Sequence, residues 1–281
     1  MSRFLVVTAD DVGLHAGMTD GAIEAHARGI VTACSVVPAG RDFARAAGRL
    51  RVYPSLAVGA HLTLVGARPL SPPVEVPSLV GRDGALLPGF GAFLRRYYAG
   101  SIDPGDVERE LRRQIEALLA AGLKVSHANG HQHLHVLPRV HEVVLRLAAE
   151  YGVAYVRTPV DRRPPGVPLM RRLAVGALAC YGKAALRRAR ERGTPRSGDA
   201  TIGICEAGHL TVGRVAALLP LVQGVTELVC HPGLGDRAIS AEFPWGYEWE
   251  TETRAFCDSG LARAVRSAGV AVVSPLELPT T

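Results

Sequence analysis

Histidine is concentrated in one stretch of the chain, SHANGHQHLHVLPRVH at residues 126–141. Five of the ten histidines lie there, within a sequence that continues with helical spacing. Neutral imidazole is the commonest metal ligand in proteins, and imidazole also exchanges protons near neutral pH. The stretch therefore indicates metal binding or proton transfer, with partners required from elsewhere in the chain.

At four places in the sequence, aspartate or histidine follows or lies within an apolar run that is typical of a buried strand. Asp10 and Asp11 follow FLVVTA, His61 lies in GAHLTLV, His131 follows VSHANG, and His231 follows ELVC. In parallel α/β folds the working residues lie just past the carboxyl ends of strands. Any one of them alone would more often be structural, because polar groups at strand ends commonly satisfy loop backbone. Their recurrence on several strands favours a shared site.

These residue types suit a hydrolytic metal centre. A catalytic divalent metal takes about three protein ligands and keeps one position open for water. Two imidazoles and one carboxylate supply such a set, and the metal then acidifies its water and polarises a carbonyl. A second carboxylate can accept the proton of the water, and a protonated histidine can donate one to a poor leaving group such as an amine.

The elements that must position these residues alternate along the chain. Seven apolar runs are typical of strands, at residues 4–9, 30–40, 55–65, 123–130, 153–159, 227–233 and 269–275. Helical spacing separates several of them, at residues 18–29, 41–54, 103–122 and 138–152. The alternation predicts an α/β fold with a parallel sheet or barrel. No repeat or low-complexity tract divides the chain, so we predict one domain over residues 1–281.

Composition excludes several classes of protein. The chain has 281 residues, 48% hydrophobic and 21% charged, with a net charge of +6, which is typical of a globular protein rather than a disordered one. No recognition motif accompanies the basic charge, so nucleic acid is not an expected partner. The five cysteines are scattered without a CxxC pair, and no signal peptide or membrane span is evident. A reducing cytoplasm is therefore the expected location.

The stretch at residues 169–192 is a candidate amphipathic helix with seven basic residues. One interpretation is peripheral contact with an anionic membrane surface or a lipid-linked substrate. The alternative is the solvated face of an ordinary outer helix, and basic helix faces of that kind are common. The sequence favours the alternative and leaves the first interpretation open.

Four motifs resemble, in order and spacing, the YdjC-like (ChbG-type) carbohydrate deacetylases: VTADDVGL, GAHLTLV, SHANGHQHLHVLP and ELVCHPG. LVGARPLSPPVEVPSLVGRDG, HANGHQHLHVLP and YGVAYVRTPVD resemble in particular the hopanoid-biosynthesis-associated (HpnK-type) branch. The resemblance implies a distorted (β/α) barrel of the polysaccharide-deacetylase type. It also implies one divalent metal ion, Mg or Zn, and hydrolysis of the N-acetyl group of an amino sugar.

The resemblance further implies a role for each residue at a matching position. Asp11, His61 and His131 become the metal ligands, Asp10 the general base, and His231 the general acid. In the hopanoid-associated branch the implied substrate is an N-acetylglucosaminyl hopanoid, a sugar on a polycyclic lipid.

One position departs from the pattern of many relatives. They carry Asp two residues before the ligand histidine, where this chain has Asn129. An amide still donates and accepts hydrogen bonds, but it brings no negative charge to orient a ligand or tune a metal. The departure affects the surroundings of the implied ligands and leaves the ligand set itself intact.

The other histidines of the opening stretch have alternative interpretations. In an extended segment His131, His133 and His135 would share one face, and one alternative is that these three imidazoles hold a metal by themselves. The resemblance favours His131 together with His61, so His133 and His135 are predicted to line the sugar pocket or to hydrogen-bond a ligand carboxylate. His141 is predicted to lie on a helix surface.

Three further residues are candidates for substrate binding. Arg157, at the end of VAYVRTP, is predicted to bind substrate hydroxyls or to pair with one of the two N-terminal aspartates. Trp245 and Trp249, in FPWGYEW, are predicted to stack on a sugar or sterol-like ring as part of a lid. The alternative for the two tryptophans is that they pin their loop to the barrel.

Three functions remain open from the sequence. The first is an N-deacetylase acting on a lipid-linked amino sugar or on a chitooligosaccharide. The second is a phosphoesterase, which would favour two metals and a cationic clamp. The third is a non-catalytic barrel that binds a sugar or lipid. The intact set of five matching positions favours the first, and a homodimer is left open.

Overall fold

The sheet that carries the site is parallel and built from short strands. The computed structural model describes residues 3–160, 169–193 and 195–278, and the side chains of 169–174, which include two of the seven basic residues, lie outside that description. Eight strands are found there: β1 (Arg3–Val12), β2 (Ala33–Val36), β3 (Ala57–Leu62), β4 (Val125–Gly130), β5 (Tyr155–Val156), β6 (Ala200–Ile202), β7 (Gly224–Cys230) and β8 (Ala271–Val272).

The strand order curls the sheet into part of a barrel. The path is β5-β4-β3-β2-β1-β7-β6, and β8 pairs with β1 at Phe4 and Leu5, below the point where β2 begins to pair. The two ends of the path approach each other, because Tyr155 of β5 forms an isolated parallel bridge with Arg196, shortly before β6. Because all the pairings between these strands are parallel, their carboxyl ends lie at the same edge of the sheet.

Helices cover the outside of the sheet in the part of the chain that is described. They are α1 (Ala16–Ala27), α2 (Phe43–Leu50), α3 (Phe90–Tyr98), α4 (Pro104–Ala120), α5 (Pro138–Glu150), α6 (Leu169–Arg192), α7 (Val212–Leu218), α8 (Asp236–Glu242), α9 (Trp249–Cys257) and α10 (Ser259–Ser267). None of these helices is both long enough and apolar enough to cross a membrane. Covered by helices, β2, β3 and β4 are buried along their whole length, as in other parallel sheets.

The predicted α/β class, with a parallel sheet in barrel-like form, is confirmed. The long helix predicted at 103–122 is α4, where the Asp103 side chain accepts a hydrogen bond from Gly105 N and Pro104 occupies the first turn. Strand β6 was not predicted from the sequence. The strand predicted at 227–233 lies instead at 224–230, so its polar end begins at His231.

Candidate metal centre

Five polar side chains from four different strand ends meet around one cavity. The cavity has a volume of 390 Å³ and lies at the carboxyl edge of the sheet. The side chains are contributed by β1, by β3, and by the residues directly after β4 and β7; they are Asp10, Asp11, His61, His131 and His231. The convergence expected from the sequence is therefore present in the fold.

A bulge in β1 brings both aspartates to the same cavity. In a regular strand Asp10 and Asp11 would point to opposite faces of the sheet. The pairing of β1 with β2 shifts register between Ala9 and Val12, and Asp11 has a left-handed φ of 64°. A bulge of this kind turns a side chain away from its regular direction. Asp10 and Asp11 both lie inside β1, which extends further than the predicted strand at 4–9.

Asp11, His61 and His131 form a compact group of ligand atoms. Asp11 Oδ1 lies 3.2 Å from His61 Nε2 and 2.9 Å from His131 Nδ1, and the two imidazole nitrogens are 3.4 Å apart. Within the described ranges, this is the only group of three ligating side chains whose ligand atoms all lie within 4.8 Å of one another. One carboxylate and two imidazoles are the donor types of a catalytic zinc site, so the group fits a divalent metal ion.

The charges around this group favour a cation. Burial lowers the pKa of His61, but the neighbouring Asp10 and Asp11 carboxylates outweigh it and raise that pKa above its usual value. Burial likewise raises the pKa of Asp11, yet the His131 and His61 contacts hold it well below its usual range. Two ionised carboxylates therefore stabilise positive charge between them.

Asn129 orients His61 and contacts Asp10 as well. Its Oδ1 lies 2.7 Å from His61 Nδ1, and its Nδ2 donates to Asp10 Oδ1 at 3.0 Å. With Nδ1–H donating to the amide oxygen, the lone pair of His61 Nε2 is left facing the cavity, as a metal ligand requires. A carboxylate at position 129 would instead place a second negative charge next to Asp10. The amide thus matches this arrangement of donors and acceptors.

Arg157 is the buried partner of Asp10. Its Nη1 donates to Asp10 Oδ2 at 2.5 Å, and its Nη2 donates to Asp10 Oδ1 at 2.9 Å. Burial raises the pKa of Asp10, but Arg157 and His61 together hold it far below its usual value, so this carboxylate is ionised at neutral pH. Of the two roles predicted for Arg157, the structure has the pairing with an N-terminal aspartate, whereas the substrate contact is wrong because the side chain is 0% exposed.

Glu227 is a functional candidate that the sequence reasoning missed. Its Oε1 accepts hydrogen bonds from Arg157 Nη2 at 2.8 Å and from Thr8 Oγ1 at 2.7 Å, and Tyr155 OH donates to Oε2 at 3.1 Å. The guanidinium is thus shared between Glu227 and Asp10. The available signal was a glutamate inside the apolar run ELVC, where a buried charge needs a partner.

The turn after β4 separates the clustered histidines. Residues His131–Val136 form a 3-10 turn rather than the extended segment considered above, and Gln132 and His133 have left-handed φ values of 52° and 55°. The alternative of three imidazoles holding a metal together is therefore not formed. His133 lines the cavity, its Nδ1 has no hydrogen-bond partner among the described residues, and burial lowers its pKa to about 3.

Two other histidines lie in the core. His135 is buried behind the cavity, where its Nε2 lies 2.9 Å from the Arg157 carbonyl oxygen, so the predicted pocket-lining role is wrong for His135. His141 is also fully buried, with Nδ1 3.2 Å from the His135 carbonyl oxygen. The predicted helix-surface position of His141 is wrong because α6 packs over the outer side of α5.

The aromatic loop covers the cavity with one of its two tryptophans. The Trp245 ring centroid lies 5.7 Å from that of His131, and Tyr247, which the sequence reasoning missed, lies 5.1 Å from His231. Trp249 is 1% exposed and packs in a small core with Leu14. The predicted substrate contact is therefore wrong for Trp249, which pins the loop to the barrel, whereas Trp245 faces the cavity.

The parallel α/β sheet, curled into part of a barrel, thus carries a buried Asp–His–His group that could hold a metal ion, with Asp10 and His231 lining the same cavity. The family model described as YdjC-like protein matches residues 4–267, which is most of the chain. A human carbohydrate deacetylase is 35% identical over 246 residues, covering 82% of this chain and 74% of the human protein. The chain belongs to the YdjC-like family.

Two further comparisons agree with this membership. A carbohydrate deacetylase of Brevibacillus brevis is 39% identical over 155 residues, which cover 55% of this chain and 59% of that protein. A crystal structure from Enterococcus faecalis aligns over 100% of both chains with a TM-score of 0.81 at 24% sequence identity, which shows a shared fold.

Loss of any one ligand should empty the metal site. We expect purified chain, reconstituted with Zn²⁺ or Mg²⁺ and then desalted, to hold one metal ion per chain by elemental analysis. Asp11→Ala, His61→Ala and His131→Ala should each hold almost none, because three protein ligands are the minimum for such a site. His209→Ala, a histidine outside the group, is the matched control and should keep its metal. Full metal content in the three ligand variants would contradict the assignment.

The buried His127 should make stability depend on pH. Burial lowers the pKa of its ring to about 4, although Glu227 opposes this. The unfolded chain takes up the proton near pH 6.5, so the stabilisation is complete above that pH and is lost as the pH falls towards 4. Urea unfolding of metal-free protein should show a loss of about 2 kcal/mol from this group between pH 7.5 and 5. His127→Asn should remove that part of the slope, and an unchanged slope would refute the prediction.

Proposed function

We propose that this chain is a divalent-metal-dependent hydrolase that removes the N-acetyl group from an N-acetylated amino sugar. One observation carries the proposal: the Asp–His–His ligand group and two proton-transfer groups, Asp10 and His231, line the same cavity. The relatives described as carbohydrate deacetylases support the same reaction. Metal dependence is supported by the donor set, in which two imidazoles favour Zn²⁺ over the oxygen-preferring Mg²⁺.

The reaction adds water across the amide C–N bond. The acetyl carbon gains the hydroxyl and leaves as acetate, and the sugar nitrogen gains a proton and remains as an amine. A divalent metal bound by Asp11, His61 and His131 supplies a Lewis acid that polarises the acetyl carbonyl and acidifies a water. The remaining work consists of moving two protons, one from the water and one to the nitrogen.

Asp10 is the group suited to accept the first proton. It is ionised, and among the described residues its Oδ2 accepts one hydrogen bond, from Arg157 Nη1, so a lone pair remains for the water. A carboxylate with such a low pKa is a weak base, and it can act only on a water whose own pKa has been lowered. The role of Asp10 therefore depends on the neighbouring ligand group.

His231 is placed to deliver the second proton. Its Nε2 lies 3.9 Å from Asp11 Oδ2, and the residue lines the cavity. An imidazolium is a competent acid for an amine leaving group near neutral pH. We assign the two transfers to separate groups, Asp10 as the acceptor of the water proton and His231 as the donor to the amine.

The cavity walls support a sugar-sized substrate. A volume of 390 Å³ is at the lower end of the range for small-molecule sites. Trp245 offers an aromatic face beside the ligand group, where a sugar ring can stack. His133, neutral because of its lowered pKa, can exchange a hydrogen bond with a substrate hydroxyl.

A single ligand group favours deacetylation over the phosphoesterase alternative. A phosphoesterase of this type would use two metals and a cationic clamp at the reacting group. The described residues form one ligand group, and the guanidinium of Arg157 is occupied by Asp10 and Glu227 behind the cavity wall.

A lipid-linked acceptor, as in the hopanoid-associated branch, is the finer part of the proposal. Helix α6 packs against the turn that carries His131, and Lys183, Arg187 and Arg190 are exposed on it. Two of these cations have acidic neighbours, because Arg190 contacts Asp199 at 2.6 Å and Arg187 lies 3.8 Å from Glu191. That pairing supports the alternative of a solvated outer face, so membrane contact needs its own test. A cytoplasmic location and a homodimer stay predictions.

Acetate release tests the proposed reaction. We expect the metal-loaded protein to release acetate from N-acetylglucosamine oligosaccharides or an N-acetylglucosaminyl hopanoid, and chelation to stop the release until metal is restored. Asp10→Asn and His231→Ala should each lower kcat by roughly 10²- to 10⁴-fold, whereas His26→Ala, outside the cavity, should match the wild type. Release that survives both complete metal removal and Asp11→Ala would sink the mechanism. Turnover of the oligosaccharides alone would reject the lipid-linked acceptor.

Vesicle binding tests the membrane contact of α6. If the exposed cations meet an anionic surface, binding to phosphatidylserine-containing vesicles should fall as salt is added. The double variant Lys183→Gln/Arg187→Gln should lose about 2 kcal/mol of binding, roughly 30-fold in affinity. Vesicles of phosphatidylcholine alone are the control. Binding that is absent, or that is unchanged by salt, rejects the idea.

A further inference from the structure

The imidazole of His231 lacks the usual orienting partner. In many catalytic sites a carboxylate or carbonyl accepts from the second ring nitrogen and so fixes the ring. Here the Nδ1 of His231 is buried and has no hydrogen-bond partner among the residues that the structure describes. A proton donor must nevertheless be held within a few tenths of an ångström and a few degrees of its working position. The other contacts of this ring therefore bear on its orientation.

Tyr247 is the aromatic side chain in contact with His231. The two ring centroids are 5.1 Å apart with an interplanar angle of 64°, which is an edge-to-face arrangement. Such pairs have a preferred geometry and restrict the rotation of both rings. The contact leaves Nε2 of His231 on the side of Asp11, at 3.9 Å from its Oδ2.

The ring of Tyr247 in turn packs directly against the backbone of Gly208. A Cβ added to Gly208 would lie 2.2 Å from both Cγ and Cδ1 of Tyr247, and the φ of Gly208 is +79°. A side chain at this position is therefore excluded by the ring and disfavoured by the backbone conformation. The backbone N–H of Glu248 also donates to the Gly208 carbonyl oxygen at 2.8 Å, which fixes the loop next to Tyr247.

A buried carboxylate connects the backbone segment around Gly208 to the backbone of His231. Glu252 is 0% exposed, and its Oε2 accepts from the backbone N–H of His231 at 2.5 Å. Its Oε1 accepts from Leu210 N at 3.2 Å, and the backbone of Gly208 hydrogen-bonds to the same carboxylate. The backbone of His231 and the segment under Tyr247 are therefore held to a common point.

We infer that Tyr247, seated on Gly208, is a positioning residue that holds the His231 imidazole with Nε2 towards the cavity. The inference rests on the proposed role of His231 as the proton donor to the leaving amine. Tyr247 also lines the cavity, and the inference assigns it an effect on turnover through His231 that is separate from any contact with the substrate. Its aromatic ring, rather than its hydroxyl, is the part that matters.

Substitution of Tyr247, or of Gly208 beneath it, tests the positioning role. Tyr247→Ala should lower kcat for deacetylation on the order of 10- to 100-fold, with KM changed less than about threefold, because a displaced ring misaligns the donor. Tyr247→Phe should keep activity near that of the wild type. Gly208→Ala should approach the loss of Tyr247→Ala, although it leaves all the proposed catalytic side chains in place. Tyr53→Ala, which removes an edge-to-face contact with a histidine outside the cavity, His26, is the matched control and should stay near the wild type.

The decisive comparison is made in a His231→Ala background. If Tyr247 acts only through His231, adding Tyr247→Ala to His231→Ala should cause no further loss of kcat, because effects on one pathway are not additive. A full further loss, a change confined to KM, or equal losses for Tyr247→Phe and Tyr247→Ala would each overturn the inference while leaving the proposed function intact. A His231→Ala variant with wild-type activity would overturn the proposed role of His231 itself. Tyr247→Leu gives the same comparison if Tyr247→Ala does not fold, as judged by circular dichroism.

Discussion

A fully buried guanidinium between two carboxylates is the interaction on which the site depends. Arg157, at the end of β5, holds Asp10 of β1 and Glu227 of β7, and so ties the strand at one end of the sheet path to two neighbouring strands in its other half. Burying such charges is costly unless every partner is present, and breaking a buried pair typically costs about 3–5 kcal/mol. Removal of any one of the three side chains would therefore leave an uncompensated buried charge on the others.

From this ion pair a chain of hydrogen bonds leads to the ligand group. Asp10 Oδ1 accepts from Ser35 Oγ and from Asn129 Nδ2, and the Oδ1 of Asn129 faces His61 Nδ1. Each link fixes the orientation of the next, so His61 Nε2 faces the cavity because the arginine is correctly placed several bonds away. The amide of Asn129 sets the donor-to-acceptor direction of this series of hydrogen bonds, since it can donate to Asp10 and accept from His61 at the same time.

Backbone conformation adds a second constraint. Three residues other than glycine have left-handed φ values in the described part of the chain, Asp11, Gln132 and His133, and all three line the cavity. Such conformations cost about 1–3 kcal/mol each and persist only where the surrounding structure enforces them. Their concentration at one cavity is consistent with a site whose geometry is built at the expense of local stability.

The sequence was sufficient for the fold class and for the meeting of Asp10, Asp11, His61, His131 and His231. Carboxyl ends of parallel strands share an edge, so polar residues at those ends are brought together whatever the details of the loops. The bulge at Asp11 and the turn at Gln132 depend on φ angles that side-chain type does not reveal.

Partners chosen by tertiary packing were also beyond the sequence. Glu227 pairs with Arg157 because β7 lies next to β1. Tyr247 contacts His231 because Gly208 leaves space for the tyrosine ring. His141 reads as a surface residue when one helix is considered alone, but α6 buries its outer side.

The central claim is that Asp11, His61 and His131 together hold one divalent ion. An anomalous-difference map from crystals of the zinc-loaded protein tests it most directly. We expect a single peak bonded to Asp11 Oδ1, His61 Nε2 and His131 Nδ1, with ligand distances of about 2.0–2.2 Å. A pair of peaks, or a peak held by His133 or His135 in place of His61, would contradict the account.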